Sequence, residues 1–226
     1  MSADPTKRQA PARRAPVPSN STTSRKRKRP RVARAAAKGT RIEILKAAAG
    51  AFRRLGYHGA SVEEIAAALH MQKGNLYYYF RTKEEILFAC HQYSLDRLLE
   101  VLAKVEKDDH RPDQKLRELI VAFVHIILDD LCGTALFLDL EALTPAHQRQ
   151  AIARRDEFDQ GLRRVIQQGV DWGTFAPHVE PKLLSFAVMG AVNWIPRWYN
   201  PDGPRSSSEI ARQFAEYLVD GLRSYN

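Results

Sequence analysis

Cysteine is nearly absent from this 226-residue chain: there are two, Cys90 and Cys132. They form no CxxC pair and no disulfide framework, which points to a reducing cytoplasm and to buried small apolar roles. Long apolar runs are missing too. The best stretches, Leu119–Leu128 and Leu183–Ile195, are interrupted by His125, Ser185 and Asn193. Neither approaches the ~18 residues that a membrane span needs, so no membrane is expected. The seven histidines are scattered, with no HExxH and no metal-ligand spacing. There is no GxSxG, P-loop or GxGxxG, so no enzyme, cofactor or metal is expected.

Acid is scarce at one end only. Residues 1–38 hold 12 Lys/Arg against Asp4 alone, whereas residues 39–83 carry a net +4 and residues 84–226 a net −6. A basic end ahead of an acidic body suggests that one end meets a polyanion. Residues 1–38 are rich in Pro, Ser, Ala, Arg and Lys and are expected to be a disordered arm. Its run Arg25–Arg31 fits a nuclear-localisation or nucleic-acid patch. Two readings stand: a merely solvated arm, or one that adds phosphate or minor-groove contacts.

From Thr40 the apolar spacing is helical, with Ile42, Leu45, Ala49 and Phe52 leading the first helix. Gly56 is expected to stop it. Ser61-Val62-Glu63-Glu64 and Thr82-Lys83-Glu84-Glu85 are S/T-x-x-E capping boxes that open a second and a fourth helix. A short third helix is expected at about 72–80. His110-Arg111-Pro112-Asp113 breaks the fourth. Further helices are expected at about 113–131, 134–142, 145–170, 179–199 and 206–223. The fold class is all-α, with three units: the arm 1–38, a helix-turn-helix unit 39–84 and a helical body 85–226.

The segment 61–80 reads as two short helices joined at Leu69-His70-Met71, with Leu76 and Phe80 as anchors. The second would enter the major groove. Lys73 suits guanine, Asn75 and Gln72 suit adenine, and tyrosine hydroxyls suit phosphates. Gly74 permits close backbone approach. The bland alternative, that Tyr77, Tyr78 and Tyr79 are packing residues, places at most one or two of them against the core.

The block Thr40–Leu87 resembles the TetR family of bacterial transcriptional regulators. The resemblance rests on Gly56-Tyr57, Ser61–Ala66, Lys73–Phe80 and Thr82–Leu87. It implies an all-helical homodimer, paired through the last two helices, that binds a palindromic double-stranded operator and is released by a small-molecule effector. It also implies that Lys73, Gly74, Asn75, Tyr77 and Tyr78 face the major groove, and that Ser61, Tyr79 and Lys83 touch phosphates. Two positions depart from the pattern. His70 stands where glycine is usual, and histidine tolerates a left-handed turn better than most residues. Gln72 stands where Ser or Thr is usual, a poorer N-cap by about 1 kcal/mol.

The ending Gly190–Trp194, Arg197–Tyr199 and Glu209–Leu222 is similar to a TetR subgroup that controls fatty-acid or steroid catabolism and answers acyl-CoA thioesters. Phe123, Ile127, Phe137, Phe158, Leu162, Met189, Asn193, Trp194 and Arg197 are the candidate ligand-binding residues. Arg154, Arg155, Arg163 and Arg164 are further candidates for the phosphates of CoA. Two alternatives stay open. One is a cationic, multidrug-type effector held by Asp129-Asp130 and Asp139/Glu141. The other is a sequence-nonspecific architectural DNA-binding protein driven by the arm.

Overall fold

The computed structural model describes residues 31–129 and 140–222, with side chains from Thr40 onward. Helix α1 (Arg31–Gly59) starts inside the segment expected to be a disordered arm: the backbone of 31–38 is helical and continuous with α1. The Ala-rich run 35–37 has high helix propensity, which accounts for the difference. Gly56 breaks α1 as expected. Its φ of +69° belongs to the left-handed region that glycine enters without a Cβ penalty.

Helices α2 (Val62–Ala68) and α3 (Lys73–Tyr79) follow, then the long α4 (Lys83–Lys107). Ile44, Phe52, Ile65, Leu76, Phe80 and Leu87 close one apolar core over these four helices. Helix α4, about 37 Å long at 1.5 Å per residue, runs on into a second core. There Leu98, Leu102 and Val105 meet α5 (Pro112–Leu128), α6 (Pro145–Asp171), α7 (Pro181–Trp194) and α8 (Ser207–Asp220). Helix α5 is the hub of the body and packs on α4, α6, α7 and α8. No strand occurs among the described residues.

Three expected boundaries move. Of the helix expected over 134–142, residues 134–139 lie outside the described residues, and Leu140–Ala142 form a 3₁₀ turn. The helix expected over 179–199 ends at Trp194 and gives way to a 3₁₀ turn, Ile195–Arg197. Pro196 has no N–H to continue the ladder. The first core also reaches beyond residue 84: Leu143 and Ala151, from the start of α6, are buried in it.

Candidate nucleic-acid interface and effector cavity

The second and third helices are held by local chemistry. At the start of α2 the Glu64 N–H donates to Ser61 Oγ (3.1 Å), and the Ser61 N–H donates to Glu64 Oε2 (2.7 Å). The expected capping box is therefore complete, and it occupies the hydroxyl that was assigned to phosphate. At its end the Met71 N–H donates to the Ala66 carbonyl (2.9 Å) and the His70 N–H to the Ala67 carbonyl (3.0 Å). That pair of bonds is a Schellman turn, and it needs a left-handed residue at position 70. His70 supplies it with φ +51°.

Helix α3 has no side-chain cap from Gln72, as its residue type implies. It buries Leu76 completely. Gln72, Lys73, Gly74 and Asn75 are exposed, as are Tyr77 (40%) and Tyr78 (64%). Tyr79 is half-buried and meets Tyr78 edge-on at 5.3 Å. One turn of α3 therefore presents amide, ammonium and phenol groups outward from a rigid base. Lys73 is ion-paired with Glu63 of α2 and lies 5.6 Å from the Tyr77 ring. The pairing raises the lysine pKa and lowers that of the carboxylate.

Lys83 does something else. Its ammonium donates to the carbonyls of Tyr57 (2.8 Å), Ala60 (2.8 Å) and His58 (3.4 Å). It also sits 4.4 Å over the Tyr57 ring. Three donors meet three acceptors, so Lys83 caps the C-terminal end of α1 and joins it to α4. Lys83, expected at a phosphate, is engaged with these carbonyls in the DNA-free protein.

In the body, Phe123, Phe158, Met189 and Asn193 line one cavity together with Leu95, Leu98 and Arg155. Its volume is about 110 Å³. Phe123 and Phe158 meet edge-to-face at 5.4 Å. The other expected ligand residues lie elsewhere. Ile127 and Leu162 are buried in the second core. Trp194 is 63% exposed, and Arg197 stacks on it from the exterior. Trp194 ends α7 and Arg197 lies in the 3₁₀ turn that follows; neither lines the cavity. Phe137 lies outside the described residues, as do Asp130 and Asp139.

The arginines also separate. Arg154 pairs with Asp96, Arg163 with Asp159, and Arg164 with Glu106. Arg155 is drawn into the cavity wall, with Nη2 3.5 Å from Nδ1 of the buried His91. Burial, reinforced by the Arg155 charge, pushes the His91 pKa down to about 3. Leu95 and Leu98 were missed as lining residues, and their signal was the i, i+3 spacing on one face of α4; Arg155, expected as a candidate for CoA phosphates, lies in the cavity wall.

One further junction had no sequence signal. Glu84, in the first turn of α4, accepts from the Thr144 N–H (2.9 Å) and pairs with His147 Nδ1 (2.7 Å). The His147 ring stacks on Phe88 at 3.8 Å. The start of α6 is thereby fixed to the helix that follows α3.

Residues 44–90 match the family described as bacterial regulatory proteins, tetR family, and residues 109–222 match the tetracyclin repressor-like C-terminal domain. The chain belongs to the TetR family. Helices α1–α3 thus form the N-terminal domain of a TetR regulator, and the cavity lies in the TetR-type C-terminal domain. The HTH-type transcriptional repressor KstR2 of Mycobacterium tuberculosis is 26% identical over 186 residues, 80% of this chain and 92% of its own. The TetR-family regulator PfmR of Thermus thermophilus is similar in structure, with a TM-score of 0.72 and 31% identity over 80% of this chain and 99% of its own. AibR, solved in complex with isovaleryl coenzyme A and operator DNA, gives 0.68 and 31% over 79% and 98%. These TetR relatives are transcriptional regulators. Among the described residues no helix is long and apolar enough to cross a membrane.

Proposed function

We propose that this TetR regulator represses transcription by holding a palindromic operator as a homodimer and leaves it when an acyl-CoA enters the body. The observation that carries the DNA reading is the exposed face of α3: Gln72, Lys73, Gly74, Asn75, Tyr77 and Tyr78 stand outward together from a helix whose other face is buried. Tyr79 and the capped start of α2 at Ser61 flank the phosphate track. The dimer reading is supported by the apolar side chains left exposed on α7 and α8, among them Leu183, Phe186 and Tyr217, the last 73% exposed. Two such helices from each protomer would form a four-helix bundle with two-fold symmetry.

The acyl-CoA reading is supported by the likeness to AibR, solved with isovaleryl coenzyme A, and by the lining of the cavity. That lining is apolar except for Asn193 and Arg155, and among the described residues it carries no acid. An apolar cavity of roughly 150 Å³ accepts a benzene-sized molecule, so a site of about 110 Å³ suits short or branched acyl groups.

The test is fluorescence anisotropy of the full chain on its own upstream DNA, titrated with isovaleryl-CoA, palmitoyl-CoA, free CoA and a cationic dye. Release by a thioester and not by CoA supports the reading. Release by the dye alone replaces it with a drug-type regulator. Binding that ignores sequence and vanishes when the arm is removed replaces it with an architectural protein. Sedimentation of the free protein at dimer mass checks the assembly.

A further inference from the structure

We infer that the effector site extends past its apolar lining to a buried polar end, where His91 and Ser94 of α4 hydrogen-bond an oxygen carried on the acyl chain of the ligand. The inference rests on the acyl reading above and narrows it to hydroxy- and keto-acyl thioesters. His91 and Ser94 are both fully buried. Among the described residues, His91 Nε2 and Ser94 Oγ have no hydrogen-bond partner. Buried polar groups are costly to leave unpaired, and a folded protein leaves few of them so. A helical serine can satisfy itself on the carbonyl four residues back, and Ser94 does not. The His91 imidazole is neutral, its pKa pushed down to about 3 by burial and by the Arg155 charge. Its Nδ1 faces Arg155 Nη2 at 3.5 Å. A guanidinium only donates, so Nδ1 is the acceptor and the single ring proton sits on Nε2. His91 therefore presents a donor, and Ser94 presents a hydroxyl that donates or accepts. A keto oxygen takes both protons, whereas an alcohol accepts from His91 and donates to Ser94. A saturated acyl chain offers neither atom a partner.

Helix geometry places the pair at the cavity. Residues 91, 94, 95 and 98 of α4 are spaced i, i+3, i+4 and i+7 and share one stripe. Leu95 and Leu98 line the cavity, and Arg155, which lines it from α6, touches His91. His91 and Ser94 thus continue the α4 wall of the cavity by one turn, toward the start of that helix. Glu84, where α6 is tied to α4, lies two turns further on, about 10 Å from His91 along the helix. A ligand seated at the polar end therefore bears on the part of α4 that follows α3.

The experiment uses the full chain on its own upstream DNA and three thioesters of equal chain length: butyryl-CoA, 3-hydroxybutyryl-CoA and acetoacetyl-CoA. Wild type, Ser94→Ala and His91→Leu are titrated with each. On wild type, both oxygenated thioesters should reach half-release at a concentration about five-fold or more below that of butyryl-CoA, the scale of one buried hydrogen bond. Ser94→Ala should weaken the preference for the hydroxy thioester. His91→Leu should abolish both preferences and leave the butyryl-CoA requirement unchanged. The urea midpoint of free Ser94→Ala should be no lower than that of wild type, because no bond is lost. Equal potency of the three thioesters on wild type overturns the inference without any variant having to fold, and the acyl reading then survives. A preference that both variants retain overturns it as well. Equal potency together with a lowered midpoint for Ser94→Ala assigns the pair to an ordered water instead. Failure of all three thioesters to release wild type also overturns the inference, and the acyl reading then stands or falls with palmitoyl-CoA.

Discussion

At the scale of single residues, rotation about a helix axis decides the role. Tyr77 and Tyr78 point outward while Leu76, between Asn75 and Tyr77, is fully buried. If Tyr77 reads a base, Tyr77→Ala costs about 1–3 kcal/mol of operator affinity and relaxes specificity. Anisotropy on the operator and on a scrambled duplex measures both, and unchanged values remove Tyr77 from the interface. His91 makes a second prediction. Its folded pKa is about 3, against an ordinary value of 6.5. The unfolded chain therefore takes up this proton first as the pH falls. Stability contributed by the neutral, buried imidazole is complete above about pH 6.5 and declines by about 1.4 kcal/mol per pH unit below it. Urea midpoints at pH 7, 6 and 5 should fall in that order, and His91→Gln should flatten the series. A midpoint series that His91→Gln leaves unaltered would assign the slope to other groups.

At the scale of elements, close approach fixes how the helices cross. A Cβ at Gly161 of α6 would lie 2.2 Å from Leu102 Cδ2 and 2.9 Å from Leu102 Cγ of α4. Only glycine lets the two helices approach so closely. Gly161→Ala forces them apart or drives Leu102 off its rotamer, at a cost of about 1–3 kcal/mol. A chemical denaturation curve reads the loss, and Leu102→Ala combined with Gly161→Ala should recover part of the overpacking strain. Additive losses in the double variant would show that the two side chains do not collide. The same scale contains the junction of Glu84, Thr144, His147 and Phe88. No local motif announces it, because its partners lie about 60 residues apart in sequence.

At the scale of the whole molecule, charge is divided between two ends. The arm carries a net +11 over residues 1–38, and the body from residue 84 carries a net −6. An arm that neutralises phosphates releases counterions, so deleting residues 1–30 should flatten the plot of log K against log salt. For every phosphate that the shortened chain no longer neutralises, the slope falls by about 0.9. An unaltered slope would mean that the arm touches no phosphate. The cut ends before Arg31, where α1 begins, so the helical domain stays whole.

The helical class, the capping boxes at Ser61 and Thr82, the stop at Gly56 and the turn at His70 were legible in the sequence. Each is local chemistry: a side chain reaching a backbone group within about four residues, or a backbone angle that few residues adopt. The exposed polar residues of α3 followed from the same periodicity. The cavity was legible only in part. Phe123, Phe158, Met189 and Asn193 meet there, while the equally apolar Ile127 and Leu162 pack into the core beside it. Apolar character determines that a side chain is buried, and the crossing of the helices determines which neighbours it meets. For the same reason the sequence alone did not pair Lys83 with the carbonyls of α1, nor separate Arg155 from the other arginines of α6. Tertiary structure bent the C-terminal end of α1 over Lys83 and turned Arg155 into the wall between α4 and α6, because long charged side chains take their partners from whichever element folds against them.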